Sequence, residues 1–246
     1  MNFLLQLYNV LLFQPLVNAL VLFYVFLPGH DLGLAVIILT LIIRLILHPV
    51  SIKGLKSQKA MAYLQPKIKE IQEKFKGDRA RQSSAMFELY RKEKVSPVSG
   101  CLPLLFQLPI IIALYQVFLR GLDSQFLADY LYGFVPNPGT ISPTFLVVFN
   151  LQNKIFVLVV ALLAGLAQFW QAKITGSITA GHSFSTKGDI ASMLQKQMLY
   201  IFPVLTVFII YKVGGLIGIY WLTSTLISVG EQAIANRRLK ITTVAK

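Results

Sequence analysis

Hydrophobic and polar positions alternate in long blocks along this chain. Five apolar runs are clean enough to form membrane helices: Leu32 to Ile52, Pro97 to Leu119, Ile155 to Ala172, Met198 to Tyr211 and Val213 to Ala235. At about 1.5 Å per residue, a run of roughly 20 residues matches the ~30 Å hydrocarbon core. The fourth run is short, which predicts a thinned bilayer or a bent element at Pro203. Lys212-Val213-Gly214-Gly215 is its tight link to the fifth. An earlier stretch, Phe3 to Phe26, is also long enough to span. Gln6, Asn9, Gln14, Pro15 and Asn18 interrupt it, which suits a helix lying in the interface better than one crossing it. Turn residues crowd Val135 to Pro143, VPNPGTISP, and mark an irregular loop.

Between the first and second runs the period changes. Met61, Leu64, Ile68, Ile71 and Phe75 recur at three- and four-residue steps on an otherwise charged helix. Gly77-Asp78 breaks that seam, and Met86, Leu89 and Tyr90 form a shorter one before Ser96-Pro97. The pattern predicts a helical hairpin over residues 53–95, either a docking paddle or a solvated linker. The fold class that follows is an all-α integral membrane protein. Residues 1–30 form an N-terminal interfacial helix, and residues 31–246 form a five-helix core that includes the hairpin.

Composition and charge orient this scheme. Hydrophobic residues are 55% of 246 and the mean hydropathy is +0.65, which excludes an ordinary soluble domain. Twelve basic and five acidic residues between Lys53 and Lys94 give +7; the stretch from Lys173 to Lys196 adds +2 and the tail from Arg237 adds +4. The other side sums to zero, so the whole +13 lies on one side. The positive-inside rule makes that side cytoplasmic, with the N-terminus outside and the C-terminus inside. The basic pI therefore needs no nucleic-acid partner, although such a face suits ribosomal RNA or anionic lipid. The N-terminus has no basic region or small-residue cleavage site and reads as retained, in a bacterial plasma membrane.

Little in the chain suggests catalysis. No glycine-rich phosphate loop occurs, and Gly181-His182-Ser183-Phe184-Ser185 lacks the closing glycine of a nucleophile elbow. His30, His48 and His182 are scattered, and Cys101 is alone, in a Ser99-Gly100-Cys101 context too far along the chain for a lipoprotein signal. The expectation is a protein that is not an enzyme and carries no cofactor or metal.

What the spans do carry is polar residues at helical spacing. Thr40, Arg44 and His48 share one stripe of the first span, Gln168 and Gln171 sit three apart on the third, and Trp221, Thr225, Ser228 and Gln232 recur on the fifth. Such side chains either glue helices together or line a wet cavity. An arginine at membrane depth costs about 2.5 to 3.5 kcal/mol on insertion scales, so Arg44 calls for a reason. Snorkelling past His48 is one. A water-filled cavity that attracts anionic groups, from a small solute or from an acidic polypeptide, is another.

Four stretches add a resemblance: GLAVIILTLIIRLILHPVSIK, AYLQPKIKEIQEKFKGD, LYRKEKVSPVSGCLPLLFQLPIIIALYQVF and IYWLTS. They resemble the YidC membrane protein insertases, bacterial relatives of the mitochondrial Oxa and chloroplast Albino translocases. The likeness runs from about Leu7 to Arg238 and includes LYNVLLFQPLVNAL, an amphipathic surface helix in that family. It implies five helices around a hydrophilic groove open to cytoplasm and lipid and closed outside. On this resemblance Arg44 is the groove arginine, Trp221 a groove aromatic, and Gln171 or Gln168 the polar residue of the third span. Together with Thr40, Thr225 and Ser228 these make the candidate substrate-binding groove. The sequence departs from the family at Thr225, where asparagine is expected. The implied function is insertion of nascent hydrophobic segments and their short hydrophilic flanks into the bilayer. The implied partners are nascent membrane proteins, with the ribosome, a targeting receptor and a Sec translocon behind them. The alternative is a small anion transporter, against which no inverted repeat is visible.

Overall fold

The computed structural model describes residues 3–96, 102–119, 124–179 and 197–244. Cys101, the expected start of the second span at Pro97, and the loop around Gly181 to Ser185 lie outside them. The described chain is mostly helical, with one small β-hairpin inside the irregular loop 131–153. Helices α1 (Phe3–Tyr8) and α2 (Gln14–Phe26) are joined by a π-helical turn at Asn9–Phe13. Then come α3 (Leu32–Lys74), α4 (Arg79–Lys92), α5 (Leu102–Leu119) and α6 (Ser124–Tyr130). Strands β1 (Thr144–Phe145) and β2 (Phe149–Asn150) precede α7 (Lys154–Thr179). A second π-helical turn, Gln197–Ile201, leads into α8 (Phe202–Val213), and α9 (Gly215–Val244) ends the description.

Three segments are long and apolar enough to cross a membrane: Leu5–Phe26, Leu32–Lys74 and Lys154–Thr175; two shorter apolar ones are Gln107–Leu119 and Leu199–Val213. Pro203 falls in the first turn of α8, directly after the π-helical turn, which supplies the irregularity expected there. Apolar side chains are exposed in rows on α3 (Leu41, Leu45, Ile46), α7 (Ile155, Leu162, Leu166) and α8 (Val204, Phe208). In water such rows would be an aggregation hazard; they are what lipid-facing helices require.

The first run is helical, and its polar interruptions have work to do. Asn18 is buried: its amide nitrogen donates to the carbonyls of Gln14 (2.8 Å) and Tyr130 (2.9 Å), and its oxygen accepts from the Tyr132 N–H (2.7 Å). Gln14 reaches the same Tyr130 carbonyl at 3.3 Å. These amides satisfy the C-terminal end of α6, where helix carbonyls lack internal partners. Around them Phe13, Val17, Leu20 and Val21 pack with Leu32, Val36, Leu114 and Leu127 into the main core.

That core lies at the end of the molecule where α2 turns into α3. The loop 131–153 folds over this end. The Tyr24 hydroxyl accepts from the Ser142 N–H (3.0 Å), and the Gly215 N–H donates to the Leu151 carbonyl (3.1 Å). Asp31, with no exposed surface, caps α3 by accepting from the Leu34 N–H (2.8 Å), while its other oxygen holds the Val147 N–H (2.9 Å). Removing it strands two donors. Asp31→Ala is therefore expected to cost about 1–3 kcal/mol, read as earlier melting in detergent. Asp31→Asn keeps one acceptor and should recover part of the loss; equal loss in both variants would assign the effect to charge.

The predicted hairpin forms, with one difference. The first span does not stop near Ile52: α3 is one helix of 43 residues that runs through Pro49 and Pro66 into the hairpin. Hydropathy changes near Ile52, but the helical backbone does not break there. Gly77 turns the chain with φ of 98°, and Asp78 caps α4 by accepting from the Arg81 N–H (3.0 Å). The seam buries Leu64 and Ile68. Lys67 donates to Glu93 across the hairpin (2.5 Å), and that bond holds the Lys67 ammonium above its ordinary range. Because the pKa is raised, the contribution is complete below lysine's usual titration range and disappears only as pH rises beyond it.

Candidate functional site

A polar track runs along the contact between α3 and α9. Both helices place a residue on it at nearly every turn: Arg44, His48 and Ser51 from α3, and Tyr220, Ser224, Ser228 and Glu231 from α9. Steps of four, four and three keep the α9 set on one face of the helix.

Arg44 is half-buried at the middle of this track. Its Nε donates to the Ser224 hydroxyl (2.9 Å), and its Nη2 donates to the same oxygen. Among the described residues no carboxylate forms an ion pair with it: the nearest candidate on the track, Glu231, pairs with His48. Glu231 would be the natural counter-ion and is engaged elsewhere. Its Oε1 lies 2.6 Å from His48 Nδ1, and its Oε2 accepts from the Ser51 hydroxyl (2.6 Å). Ser224 brings no charge, so Glu231 offsets the guanidinium only through space, and the donors of the fork that Ser224 does not take are available to an anion.

The other predicted residues take distinct places. Ser228 is buried and donates to the Ser224 carbonyl (3.1 Å), so it abuts the arginine's partner. Thr40, one turn from Arg44, is buried and donates to the Val36 carbonyl of its own helix (2.6 Å). Thr225 is buried on α9. Gln168 is 9% exposed, and its Oε1 is buried without a hydrogen-bond partner. An unsatisfied amide oxygen costs about 1–3 kcal/mol and marks a place where an outside donor would be welcome. Gln171 is half-buried, and its carbonyl accepts from Thr175, whose hydroxyl also donates to Gln232 of α9 (3.2 Å). Trp221 packs against the apolar cluster of Val157, Ala161, Ala164, Ile210 and Ile217.

Two contributors escaped the sequence reading. Ser224 sits between the residues of the Trp221, Thr225, Ser228 stripe and belongs instead to the neighbouring stripe that starts at Tyr220. The repeat of four from Tyr220 through Ser224 to Ser228 was the available signal. Gln107 of α5 donates to the Tyr220 hydroxyl and extends the track to a third helix. Past Glu231 the α3–α9 contact continues with Lys59, whose Nζ donates to the Ala235 carbonyl (3.0 Å). Burial there lowers the Lys59 pKa from its ordinary value.

A model of the family described as 60Kd inner membrane protein matches residues 22–243, which takes in every element of the track. The chain belongs to that family. Similar curated proteins include the membrane protein insertase YidC of Francisella tularensis subsp. novicida strain U112, 33% identical over 226 residues. The insertases of F. tularensis subsp. holarctica strain LVS and subsp. tularensis strain SCHU S4 give the same figures. The alignment covers 90% of this chain but 36% of each relative, so the chain spans about a third of the length of the curated relatives it matches. For the 60Kd inner membrane protein family, then, this chain supplies an arginine paired with a serine, and a glutamate already bound by histidine and serine.

Proposed function

We propose that this chain is a membrane protein insertase: it receives hydrophobic segments with short hydrophilic flanks from the cytoplasm and passes them into the bilayer. The observation that carries this reading is Arg44, a cation at membrane depth held by a hydroxyl and by no carboxylate of the described residues. The insertase names of the relatives point the same way. On this reading α3, α5, α7, α8 and α9 are five spans around a hydrophilic groove open to the cytoplasm. Arg44, Gln168, Gln171, Thr225 and Ser228, with Thr40 and Trp221, line or frame it.

The mechanism needs no fuel. A client's acidic flank exchanges bulk water for the groove, where Arg44 offers opposite charge in a medium of lower dielectric than water. The adjoining apolar segment moves sideways into lipid. Its burial, at roughly 25 cal/mol per Å², outweighs the transfer of a short flank. The one-sided positive charge supports, by the positive-inside rule, a cytoplasmic hairpin and C-terminus and an outside loop 131–153.

Purified protein in liposomes should protect the translocated flank of a single-span client from added protease, whereas empty liposomes should not. Flux of small anions without insertion would replace this reading with a transporter. The hairpin should help to capture clients, since its seam packs α3 on α4. Replacing Lys67 to Lys92 by a short flexible linker is expected to leave a folded core and reduce insertion. Unchanged insertion would make the hairpin a solvated linker.

A further inference from the structure

The loop between α6 and α7 carries no charged residue over 24 positions, from Tyr130 through Asn153. Within it β1 and β2 pair Thr144 with Asn150 and Phe145 with Phe149, and the three residues between them form the tip. Leu146, Val147 and Val148 are exposed, Val148 by 81%. Leu146 and Val147 also hold positive φ, 50° and 62°, a conformation that branched side chains rarely adopt. The tip is fixed there by the fold: the buried Asp31 carboxylate holds the Val147 N–H, and Phe145 packs so closely on Gly33 that a Cβ at Gly33 would lie 2.8 Å from the Phe145 Cβ. Backbone strain that the surroundings maintain calls for a functional reason.

We propose that this tip is a membrane wedge that seats in the outer leaflet of the bilayer. Position argues for lipid as its occupant. On the topology proposed above, Asp31 and Gly29 tie the tip to the start of α3 and so to the level of the helix ends on the outer side. The lipid-facing row of α7 begins at Ile155, five residues beyond β2, so the apolar tip continues a surface that is already apolar. Beside it Phe145, Phe149 and Phe156 cluster with ring centroids 5.5 to 6.5 Å apart, an aromatic group at the depth where such rings gather. The absence of charge removes the cost of seating the tip below the headgroups. The wedge anchors the loop end of the molecule and fixes the depth of α3, and with it Arg44.

Spin labels test this on the full chain. Cys101 is the sole cysteine, so Cys101→Ser gives a clean background for Val148→Cys and, as a second tip position, Leu146→Cys. The protein is placed in vesicles of phosphatidylethanolamine and phosphatidylglycerol, and label collisions with oxygen and with a water-soluble nickel chelate are compared. The expected ratio of oxygen to nickel accessibility at both tip positions is several-fold higher than for Asn137→Cys in the same loop, and close to that of the lipid-facing Leu162→Cys. A tip as open to nickel as Asn137 overturns the wedge. A tip shielded from both reagents also overturns it, and assigns the surface to a protein partner or a second copy.

Discussion

Arg44→Ala is expected to reduce insertion of clients with acidic translocated segments by about tenfold or more, the equivalent of about 1.4 kcal/mol of lost attraction. The direction follows from geometry: Ser224 fixes the guanidinium without bringing a charge, and Glu231 is hydrogen-bonded to His48 and Ser51 and acts on Arg44 only through space. Clients with neutral flanks should lose much less, because for them the site offers hydration only. Arg44→Lys keeps the charge while giving up the planar fork that reaches Ser224 through two nitrogens, so it should retain most activity. Arg44→Glu should be worse than alanine for acidic clients. Protease protection of paired acidic and neutral versions of one client reads all of this. Equal loss for both versions would make Arg44 a structural tie to Ser224, and no loss would leave it a snorkelling side chain.

The second large effect concerns stability and sits in the contact of α9 with its neighbours. A Cβ added at Gly215 would lie 2.6 Å from the Leu151 carbonyl oxygen, a backbone atom that also accepts the Gly215 N–H. A Cβ added at Gly218 would lie 2.8 Å from the Val160 side chain and 2.9 Å from that of Ile210. Small residues here let helices approach to backbone distance, which matters most where lipid removes the hydrophobic drive for association. Gly215→Ala is expected to cost about 1–3 kcal/mol despite alanine's higher helix propensity. Gly230→Ala meets nothing within 4 Å and should be neutral or mildly stabilising. Melting of both variants in one detergent provides the comparison, and equal behaviour would mean the α9 contact relaxes at no cost.

How much of this could be read from residue order varied with the range of the interaction. The apolar helices and the hairpin broken at Gly77-Asp78 rest on local periodicity and turn chemistry, and the chain displays both directly. Arg44 stood out because a charge among leucines is costly wherever it is placed. Asn18 did not: its partners Tyr130 and Tyr132 lie 112 and 114 residues away, so an amide that knits two segments together looked like a flaw in a span. Ser224 was hidden for a related reason, since several stripes of α9 carry hydroxyls and only the neighbouring helix decides which of them meets a guanidinium. The merging of span and hairpin into α3 escaped because hydropathy reports the surroundings of a helix and says nothing of whether its backbone continues.

The unbroken course of α3 puts Arg44 and the hairpin turn on one helical backbone. Arg44 and Lys74 are 30 residues apart, about 45 Å along an ideal helix. Pro49 and Pro66 each remove one intrahelical hydrogen bond between them, so the span has two natural bending points. Helix length thereby sets how far the hairpin stands from the arginine, and the two prolines set the direction in which it stands.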